Sequence, residues 1–143
     1  MNETYDIAVV GATGSVGREI LQILEQRKFP INNLYLLASE KSKGSKIEFD
    51  NEEIIVEDLS NFDFSKTQIS LFSPGSTVSA KFAPLAAEKG SLVIDNTSYF
   101  RMHNDVPLIV PEVNAEVLDE YFEKNKRKNI IANPNCSTIQ MLV

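Results

Sequence analysis

Cys136 is the one cysteine of the 143-residue sequence, and it lies in the stretch NPNCSTIQM, residues 133–141. A cysteine thiolate is a strong nucleophile towards carbonyl carbon. The apolar run NIIAN (129–133) precedes this cysteine, and CSTIQMLV has the composition of a helix start. The dipole at a helix N-terminus favours the thiolate. A lone cysteine is also commonly a small buried apolar residue, so the sequence leaves open a nucleophile or a packing residue.

A glycine-rich stretch, GATGSVG (11–17), follows the apolar run YDIAVVG. Glycines at 11, 14 and 17 suit a tight turn, a close approach of the backbone to a pyrophosphate, and packing of a helix against a strand. The helix that follows offers free N–H groups to phosphates. The spacing differs from G-x-G-x-x-G, because Ala12 and Thr13 precede the second glycine. The stretch predicts a dinucleotide site, and the alternative is a tight turn without a ligand.

The segment LASEKSKGSK (37–46) follows the second predicted strand, where the ribose of a dinucleotide is recognised. Ser39, Lys41, Ser42 and Lys43 could together hold a 2′-phosphate, which favours NADP. Glu40 would repel that phosphate if its side chain pointed inward. The alternative is a polar surface loop.

Two further loops follow predicted strands. In FSPGS (72–76), Ser73 and Gly75 are predicted cofactor contacts, although a simple strand–helix turn is the alternative. In DNTSYFR (95–101), Arg101 has the fork-shaped guanidinium that binds phosphate or carboxylate. Arginines of this kind are also ordinary surface residues. The single histidine, His103, is interpreted as an exposed loop residue.

Short apolar runs alternate with amphipathic stretches along the chain. The pattern predicts strands over 5–11, 33–39, 69–73, 91–96, 107–113 and 129–133, and helices over 16–27, 76–90 and 114–125. A hairpin is predicted to turn at Asp50-Asn51, with a return strand over 54–57. Pro30 is expected to end the first helix, Gly90 the second, and Asn114 to cap the third. This order is typical of an α/β fold with a doubly wound, mostly parallel sheet, a Rossmann-like NADP-binding domain.

Composition excludes several classes of function. The net charge of −6 and acidic pI make nucleic acid and anionic membrane improbable partners. The sequence contains no apolar run long enough to span a membrane and no signal peptide, and one cysteine forms no internal disulfide, so a cytoplasmic protein is expected. The basic run KNKRKN (124–129) is interpreted as a solvated helix end. No metal site is predicted.

Four stretches taken together, GATGSVG, LASEKSKG, DNTSYFRMHNDVPLIVPEVN and NPNCSTIQM, closely resemble the bacterial aspartate-semialdehyde dehydrogenase family. The resemblance implies reductive dephosphorylation of aspartyl-4-phosphate by NADPH, on the route to lysine, threonine and methionine. It implies that Cys136 forms the acyl thioester, that Arg101 binds phosphate and that Asn135 helps to place the substrate. Residues 13–16, including Thr13, Ser15 and Val16, match the pyrophosphate turn. Lys41 and Ser42 match the 2′-phosphate loop.

The sequence departs from the family pattern in two places. The loop commonly reads Arg-Ser-Ala-Gly but reads KSKG here, and lysine lacks the bidentate fork. Asn133 stands where relatives commonly have cysteine or a small residue. The resemblance further implies a dinucleotide-binding domain over 1–134 and the start of a catalytic and dimerisation domain over 135–143. A following domain would supply a histidine acid/base, a substrate arginine and most of a homodimer or homotetramer interface. The 143-residue chain is therefore expected to bind cofactor weakly without turnover.

Three alternatives to this function remain. The chain could be a stand-alone dinucleotide-binding module or a redox-sensing module in which Cys136 is a sensor or structural thiol. It could also belong to a related acyl-phosphate reductase. N-acetyl-glutamyl-phosphate reductase and glyceraldehyde-3-phosphate dehydrogenase share the chemistry, but they surround their nucleophile with different residues.

Overall fold

The computed structural model describes residues 2–124 and 128–143 of the chain. Its strands are β1 (Tyr5–Val10), β2 (Ile31–Ala38), β3 (Lys46–Phe49), β4 (Glu52–Ile55), β5 (Glu57–Asp58), β6 (Ile69–Phe72), β7 (Leu92–Asp95) and β8 (Ile130–Ala132). Its α-helices are α1 (Ser15–Gln26), α2 (Ser76–Glu88), α3 (Pro111–Asn114), α4 (Val117–Lys124) and α5 (Cys136–Leu142).

Six of these strands form one parallel sheet in the order β5-β2-β1-β6-β7-β8. The chain begins in the middle of the sheet at β1, moves outwards to β2 and β5, and then crosses to β6 on the other side of β1. The strand order therefore reverses between β1 and β6. Strands β3 and β4 form a separate antiparallel hairpin.

Both faces of the sheet are covered, as alternate residues of β1 show. Ala8 and Val10 belong to one buried cluster together with Ala83 of α2. Val9 belongs to a second cluster together with Leu21 of α1. Burial of a leucine or valine side chain stabilises a fold by roughly 1.5–3 kcal/mol, so both layers contribute to holding the sheet. The predicted doubly wound α/β fold is confirmed.

The first two helices lie close to their predicted positions. Helix α1 ends at Gln26, and the chain leaves it through Lys28, whose φ of 49° is left-handed. Pro30, which we expected to end the helix, lies beyond this turn. Helix α2 contains Pro84 and ends just before Gly90, which has a φ of 92°.

The predicted hairpin is confirmed, with Asp50 and Asn51 both at positive φ between β3 and β4. Its return strand, Glu52–Ile55, begins and ends two residues earlier than expected. The predicted strand over 54–57 thus divides, because Glu57 and Asp58 leave the hairpin and pair in parallel with the end of β2. This two-residue edge strand was not predicted.

The predicted strand over 107–113 is wrong. Leu108 makes only an isolated bridge with Ala132, and Pro111 begins the short helix α3. Pro107 and Pro111 have no N–H to donate to a ladder, which explains why this apolar run does not extend the sheet.

The predicted helix over 114–125 begins later than expected, at Val117. Asn114 does not cap it. The Asn114 side chain instead accepts a hydrogen bond from the Val110 backbone N–H (2.9 Å) and donates one to the Leu108 carbonyl (2.9 Å).

The basic run over 124–129 falls partly outside the described residues. Of its described members, Lys124 pairs with Glu120 within α4, and Lys128 pairs with Asp105. Among the helices of the described residues, none is long and apolar enough to cross a membrane.

Candidate active site

A cleft of about 520 Å³ opens at the carboxyl edge of the sheet, beside the turns that follow β1, β2, β5 and β6. Ligands of open parallel sheets bind outside this edge at the point where the strand order reverses, which here lies between β1 and β6. The volume lies within the range of small-molecule sites. The residues that line the cleft are Gly11, Thr13, Gly14, Ala38, Ser39, Glu40, Asp58, Leu59, Ser60, Ser73, Pro74, Val78, Lys81 and Phe82.

The three glycines of the turn after β1 have different roles. Gly11 has a φ of 83°, and a Cβ there would lie 2.7 Å from the Ser73 carbonyl oxygen. A Cβ on Gly17 would lie 2.1 Å from the Gly11 carbonyl oxygen, so glycine is needed where α1 packs against the turn. Gly14 has a φ of −74°, which any residue adopts. A Cβ there would approach only the Gly11 carbonyl oxygen, at 3.4 Å. The protein itself therefore has little need of glycine at Gly14, which lines the cleft.

Two helices begin at the cleft without a capping side chain. Gly14 stands at the N-cap of α1 and Gly75 at the N-cap of α2, and neither helix has an acidic residue in its first turn. The first N–H groups of a helix have no partner within the helix and attract anions. Ser15 and Val16 form the start of α1. Thus the two helix N-termini suit the phosphates of a dinucleotide.

The turn after β2 places its residues differently from our expectation for a 2′-phosphate site. Ser39 and Glu40 line the cleft. Lys41 and Ser42 lie in the 3₁₀ turn Glu40–Ser42, outside the set of described residues that line it. Among the described lining residues, the one cation is Lys81, in the second turn of α2.

Asp58, at the end of β5, is a second carboxylate beside the cleft. Its oxygens accept hydrogen bonds from the Ser60 hydroxyl (2.7 Å), the Ser60 N–H (2.9 Å) and the Asn61 side chain (3.2 Å). The hydrogen bonds from Ser60 hold the pKa of Asp58 below its usual value. Asp58 is therefore charged at neutral pH, and its main contacts shape the loop that forms the far wall of the cleft.

Cys136 is the first residue of α5 and is exposed. The side chain of Asn135 caps this helix, because its Oδ1 accepts a hydrogen bond from the Ser137 N–H (2.8 Å). Within residues 2–124 and 128–143, the amide nitrogen of Asn135 donates to no protein group. The cysteine thus lies where the sequence predicts, at a strand–helix turn beyond the carboxyl end of β8.

Arg101 is tied to the same turn. Its Nε donates to the Asn133 carbonyl (2.9 Å), and its Nη2 donates to the Asn96 carbonyl (3.1 Å). Asn133 lies three positions before Cys136, so one hydrogen bond brings the predicted anion-binding arginine and the predicted nucleophile to one corner of the sheet. This corner adjoins β7 and β8, whereas the cleft lies over β5, β2, β1 and β6.

The structure thus separates the predicted residues into two groups along one edge. Those that line the cleft are Gly11, Thr13, Gly14, Ser39 and Ser73. Ser15, Val16 and Gly75 lie at the two uncapped helix starts, and Lys41 and Ser42 lie beside the cleft. Arg101, Asn135 and Cys136 form the second corner. His103 is exposed, as predicted, with its ring beside Tyr99 and Phe100.

Several residues of the site were not predicted. Leu59 and Ser60 line the cleft from the turn after β5, and Lys81 lines it from α2. Asn133 joins the two strand ends, because its Nδ2 donates to the Asn96 Oδ1 (2.7 Å) while its carbonyl accepts from Arg101. The sequence did single out Asn133, because it stands where the family pattern commonly has cysteine or a small residue. Residues 2–124 and 128–143 contain no group of three or more His, Cys, Asp or Glu placed to hold a metal ion.

Comparisons with known proteins agree with this geometry. The family model for the semialdehyde dehydrogenase NAD binding domain matches residues 6–121. The chain belongs to the semialdehyde dehydrogenase NAD-binding domain family.

Similar members of this family are aspartate-semialdehyde dehydrogenases. The chain is 51% identical over 143 residues to "Aspartate-semialdehyde dehydrogenase 2" of Vibrio cholerae, covering 100% of this chain and 41% of that protein. It is 48% identical to the aspartate-semialdehyde dehydrogenase of Legionella pneumophila, covering 100% of this chain and 40% of that protein. The chain therefore spans about two fifths of the length of the curated relatives it matches.

Solved structures of the family match the fold of the semialdehyde dehydrogenase domain. A crystal structure of aspartate semialdehyde dehydrogenase II from Vibrio cholerae, complexed with ASA, has a TM-score of 0.92 at 51% identity and covers 98% of this chain and 44% of that chain. The enzyme from Candida albicans, solved with NADP, has a TM-score of 0.82 at 27% identity and covers 96% of this chain and 44% of that chain.

Proposed function

We propose that the chain is the NADP-binding part of an aspartate-semialdehyde dehydrogenase, which reduces aspartyl-4-phosphate with NADPH to aspartate-4-semialdehyde and phosphate. One observation carries this proposal. Arg101 is hydrogen-bonded to the backbone three residues before Cys136, at the same edge of the sheet as the cleft with two uncapped helix starts. The relatives from Vibrio cholerae and Legionella pneumophila are both named aspartate-semialdehyde dehydrogenase.

The cleft fits a dinucleotide. A Cβ at Gly14 would touch only the Gly11 carbonyl oxygen, at 3.4 Å, and the N-termini of α1 and α2 offer N–H groups to a pyrophosphate. Ser39 and Lys81 stand where a 2′-phosphate could be held, and Lys41 adjoins them. The negative charge of Glu40 would repel a 2′-phosphate. We therefore expect a preference for NADP over NAD that is smaller than a bidentate arginine would give. The relative from Candida albicans was solved with NADP.

The chemistry starts at the thiolate of Cys136. Its sulfur attacks the acyl carbon of aspartyl phosphate, a carbon–sulfur bond forms, and the carbon–oxygen bond to phosphate breaks. The guanidinium of Arg101 stabilises the departing phosphate, and the amide nitrogen of Asn135 can donate to the acyl oxygen. When bound, the reduced nicotinamide supplies the hydride that converts the thioester to the aldehyde. Cys136 then leaves as the thiolate, ready for the next turnover.

The remaining assignments rest on the relatives. Residues 1–134 would form the cofactor domain, and residues 135–143 would begin the catalytic and dimerisation domain. The complete protein would be a cytoplasmic homodimer or homotetramer that takes part in lysine, threonine and methionine synthesis. An acid/base group that protonates the reacting oxygen is still required. His103 is not assigned this role, because it borders a different cavity, with Lys128 and Ile130 at the start of β8.

The test is turnover by the protein expressed from its complete reading frame. NADPH oxidation should depend on aspartyl phosphate, and Cys136→Ser should lower the rate by at least about a thousandfold, as expected for loss of a nucleophile. NADPH binding should stay unchanged in this variant, because Cys136 lies outside the cleft.

Two results would count against the proposal. The first is turnover that survives Cys136→Ser. The second is NADPH binding without any turnover on aspartyl phosphate, which would support a binding module instead. The 143-residue chain alone should bind NADPH weakly and show no steady turnover.

A further inference from the structure

The presentation of Arg101 depends on two backbone carbonyls. A guanidinium carries five N–H donors. One donor of Arg101, on Nε, is used by the Asn133 carbonyl, and one, on Nη2, by the Asn96 carbonyl. Within residues 2–124 and 128–143, no other protein group accepts from this guanidinium. The outer end of the fork, with Nη1 and the second Nη2 proton, is the part left to bind an anion.

The Asn96 carbonyl is in turn held by the side chain that precedes it. Asp95 ends β7, and its carboxylate folds over the following turn. Oδ1 accepts from the Thr97 N–H (3.1 Å), and Oδ2 accepts from the Thr97 hydroxyl (2.8 Å). These two bonds close a ring around Asn96, which fixes the direction of its carbonyl.

Asp95 also ties this turn to the helix that borders the cleft. Its Oδ1 accepts a third hydrogen bond, from the Ser79 hydroxyl of α2 (2.9 Å). One turn earlier in the same helix, the Ser76 hydroxyl lies 2.8 Å from the Ser98 hydroxyl. Asp95 and Ser79 are both fully buried, at 0% exposure. The carboxylate therefore fixes the turn that carries Arg101 relative to α2.

Asp95 makes no ion pair within the described part of the chain, and its partners are two hydroxyls and one amide. Buried polar groups need their hydrogen bonds satisfied, and Asp95 is the acceptor for the buried Ser79 hydroxyl of α2 and for both donors of Thr97. The side chain of Asp95 therefore holds the turn after β7 to α2.

We propose that Asp95 is a positioning residue for phosphate binding, which acts through the Asn96 carbonyl to aim the outer end of Arg101 towards the corner that holds Cys136. This proposal rests on the proposed function for its substrate, the phosphate that leaves or enters the acyl group. The positioning itself is a property of this chain and can be measured without turnover.

The test compares two buried serines of the same sheet. Ser79→Ala removes one hydroxyl donor to Asp95. Ser91→Ala removes an equally buried hydroxyl, also at 0% exposure, which bonds Ser70 and Thr67 at the opposite edge of the sheet. Each substitution removes one hydroxyl from a buried hydrogen-bonded cluster. The two variants should therefore have similar effects on the free energy of unfolding. Asp95→Asn, which keeps the shape of the side chain, is the stronger form of the perturbation if it folds.

The first readout is hydrogen exchange of the Arg101 Nη2 protons, on the nitrogen that donates to the Asn96 carbonyl, followed by ¹⁵N NMR of the 143-residue chain. We expect exchange to accelerate about tenfold in Ser79→Ala, the loss typical of one hydrogen bond to a charged group, and further in Asp95→Asn. Ser91→Ala should leave it unchanged. Equal exchange rates in wild type and Asp95→Asn, or an equal acceleration in Ser91→Ala, would overturn the proposal.

The second readout uses the complete protein in the oxidative direction, with aspartate semialdehyde, NADP⁺ and inorganic phosphate. Ser79→Ala should raise the KM for phosphate about tenfold, while the KM for NADP⁺ stays within about twofold. Equal rises in both KM values would show a general loss of structure and would overturn the assignment. If the wild-type protein oxidises no aspartate semialdehyde, the proposed function fails, and the exchange measurement alone still decides the role of Asp95.

Discussion

Replacing Gly14 by alanine should separate cofactor binding from stability. The backbone at Gly14, with φ −74° and ψ 167°, accepts alanine, and the added Cβ would approach only the Gly11 carbonyl oxygen, at 3.4 Å. Alanine is a poorer N-cap than glycine, but it also lowers the entropy of the unfolded chain, and each effect is about 0.5–1 kcal/mol. We therefore expect the free energy of unfolding to change by less than about 0.5 kcal/mol.

Binding should respond much more strongly. The new methyl group would stand at the uncapped start of α1, between the backbone N–H groups and a pyrophosphate. Loss of one charge-assisted hydrogen bond costs about 1.5–3 kcal/mol, which corresponds to a rise in the Kd for NADPH of about ten- to a hundredfold. Calorimetric titration of NADPH into the 143-residue chain measures this directly.

Gly17→Ala is the matched control in the same helix. A Cβ there would lie 2.1 Å from the Gly11 carbonyl oxygen and 2.8 Å from the Ala12 Cα, and both are backbone atoms that cannot turn away. The gain in helix propensity is about 1 kcal/mol, so we expect a net destabilisation of at least about 2 kcal/mol in urea unfolding, with overpacking as the dominant effect. A wild-type Kd in Gly14→Ala, or a destabilisation equal to that of Gly17→Ala, would refute this account of the turn.

Three further predictions concern charge. Lys81→Gln should weaken NADPH binding by about two- to fivefold, as expected for loss of a solvent-exposed ion pair between Lys81 and the 2′-phosphate, and should weaken NADH binding less. A larger loss of affinity for NADH in calorimetry would contradict this. Glu40→Gln should tighten NADPH binding by a similar factor and leave NADH unchanged, and an unaltered ratio of the two affinities would oppose a phosphate site beside Glu40. Hydrogen bonds from the serines two residues further on hold the pKa values of Asp58 and Asp63 below the ordinary 3.8. The stability that these two carboxylates contribute should be complete above pH 3.8 and lost as the pH falls through their lower pKa values in the folded protein. The free energy of urea unfolding of the Asp58→Asn, Asp63→Asn double variant should therefore depend less on pH in this range than that of the wild type. An equal pH dependence would contradict the assignment.

The glycine turn could be predicted because its function is local. Gly11 and Gly17 are required by backbone contacts within a few residues of sequence and one neighbouring turn. The position of Cys136 at the start of a helix was predictable for the same reason, since a short buried strand directly precedes it. These features need only the chain direction and the period of the apolar residues.

Residues that depend on register or helix phase could not be predicted. Lys81 lines the cleft because of the way α2 rotates against the sheet, with Ala83 and Ala86 buried beneath it. The link from Arg101 to Asn133 requires that β7 and β8 pair with Asp95 opposite Ala132. No local pattern encodes that register, because both strands are only three or four residues long.

The apolar stretch 107–113 shows a different limit. Its composition is that of a strand, yet its two prolines remove the donors that a ladder needs, and only one bridge to β8 forms. The edge strand β5 was missed for the opposite reason, because Glu57 and Asp58 are too few and too polar to show a period. Burial of the flanking Val56 and Leu59 is what holds it in place.

Acylation of Cys136 is the most direct evidence for the chemistry proposed. The complete protein would be mixed with aspartyl phosphate in the absence of NADPH, and its peptides examined by mass spectrometry. We predict an aspartyl group on the peptide that contains Cys136, which is discharged when NADPH is added and does not form in Cys136→Ser. A peptide that stays unmodified while NADPH oxidation proceeds, or acylation that persists in the serine variant, would contradict a thioester at Cys136.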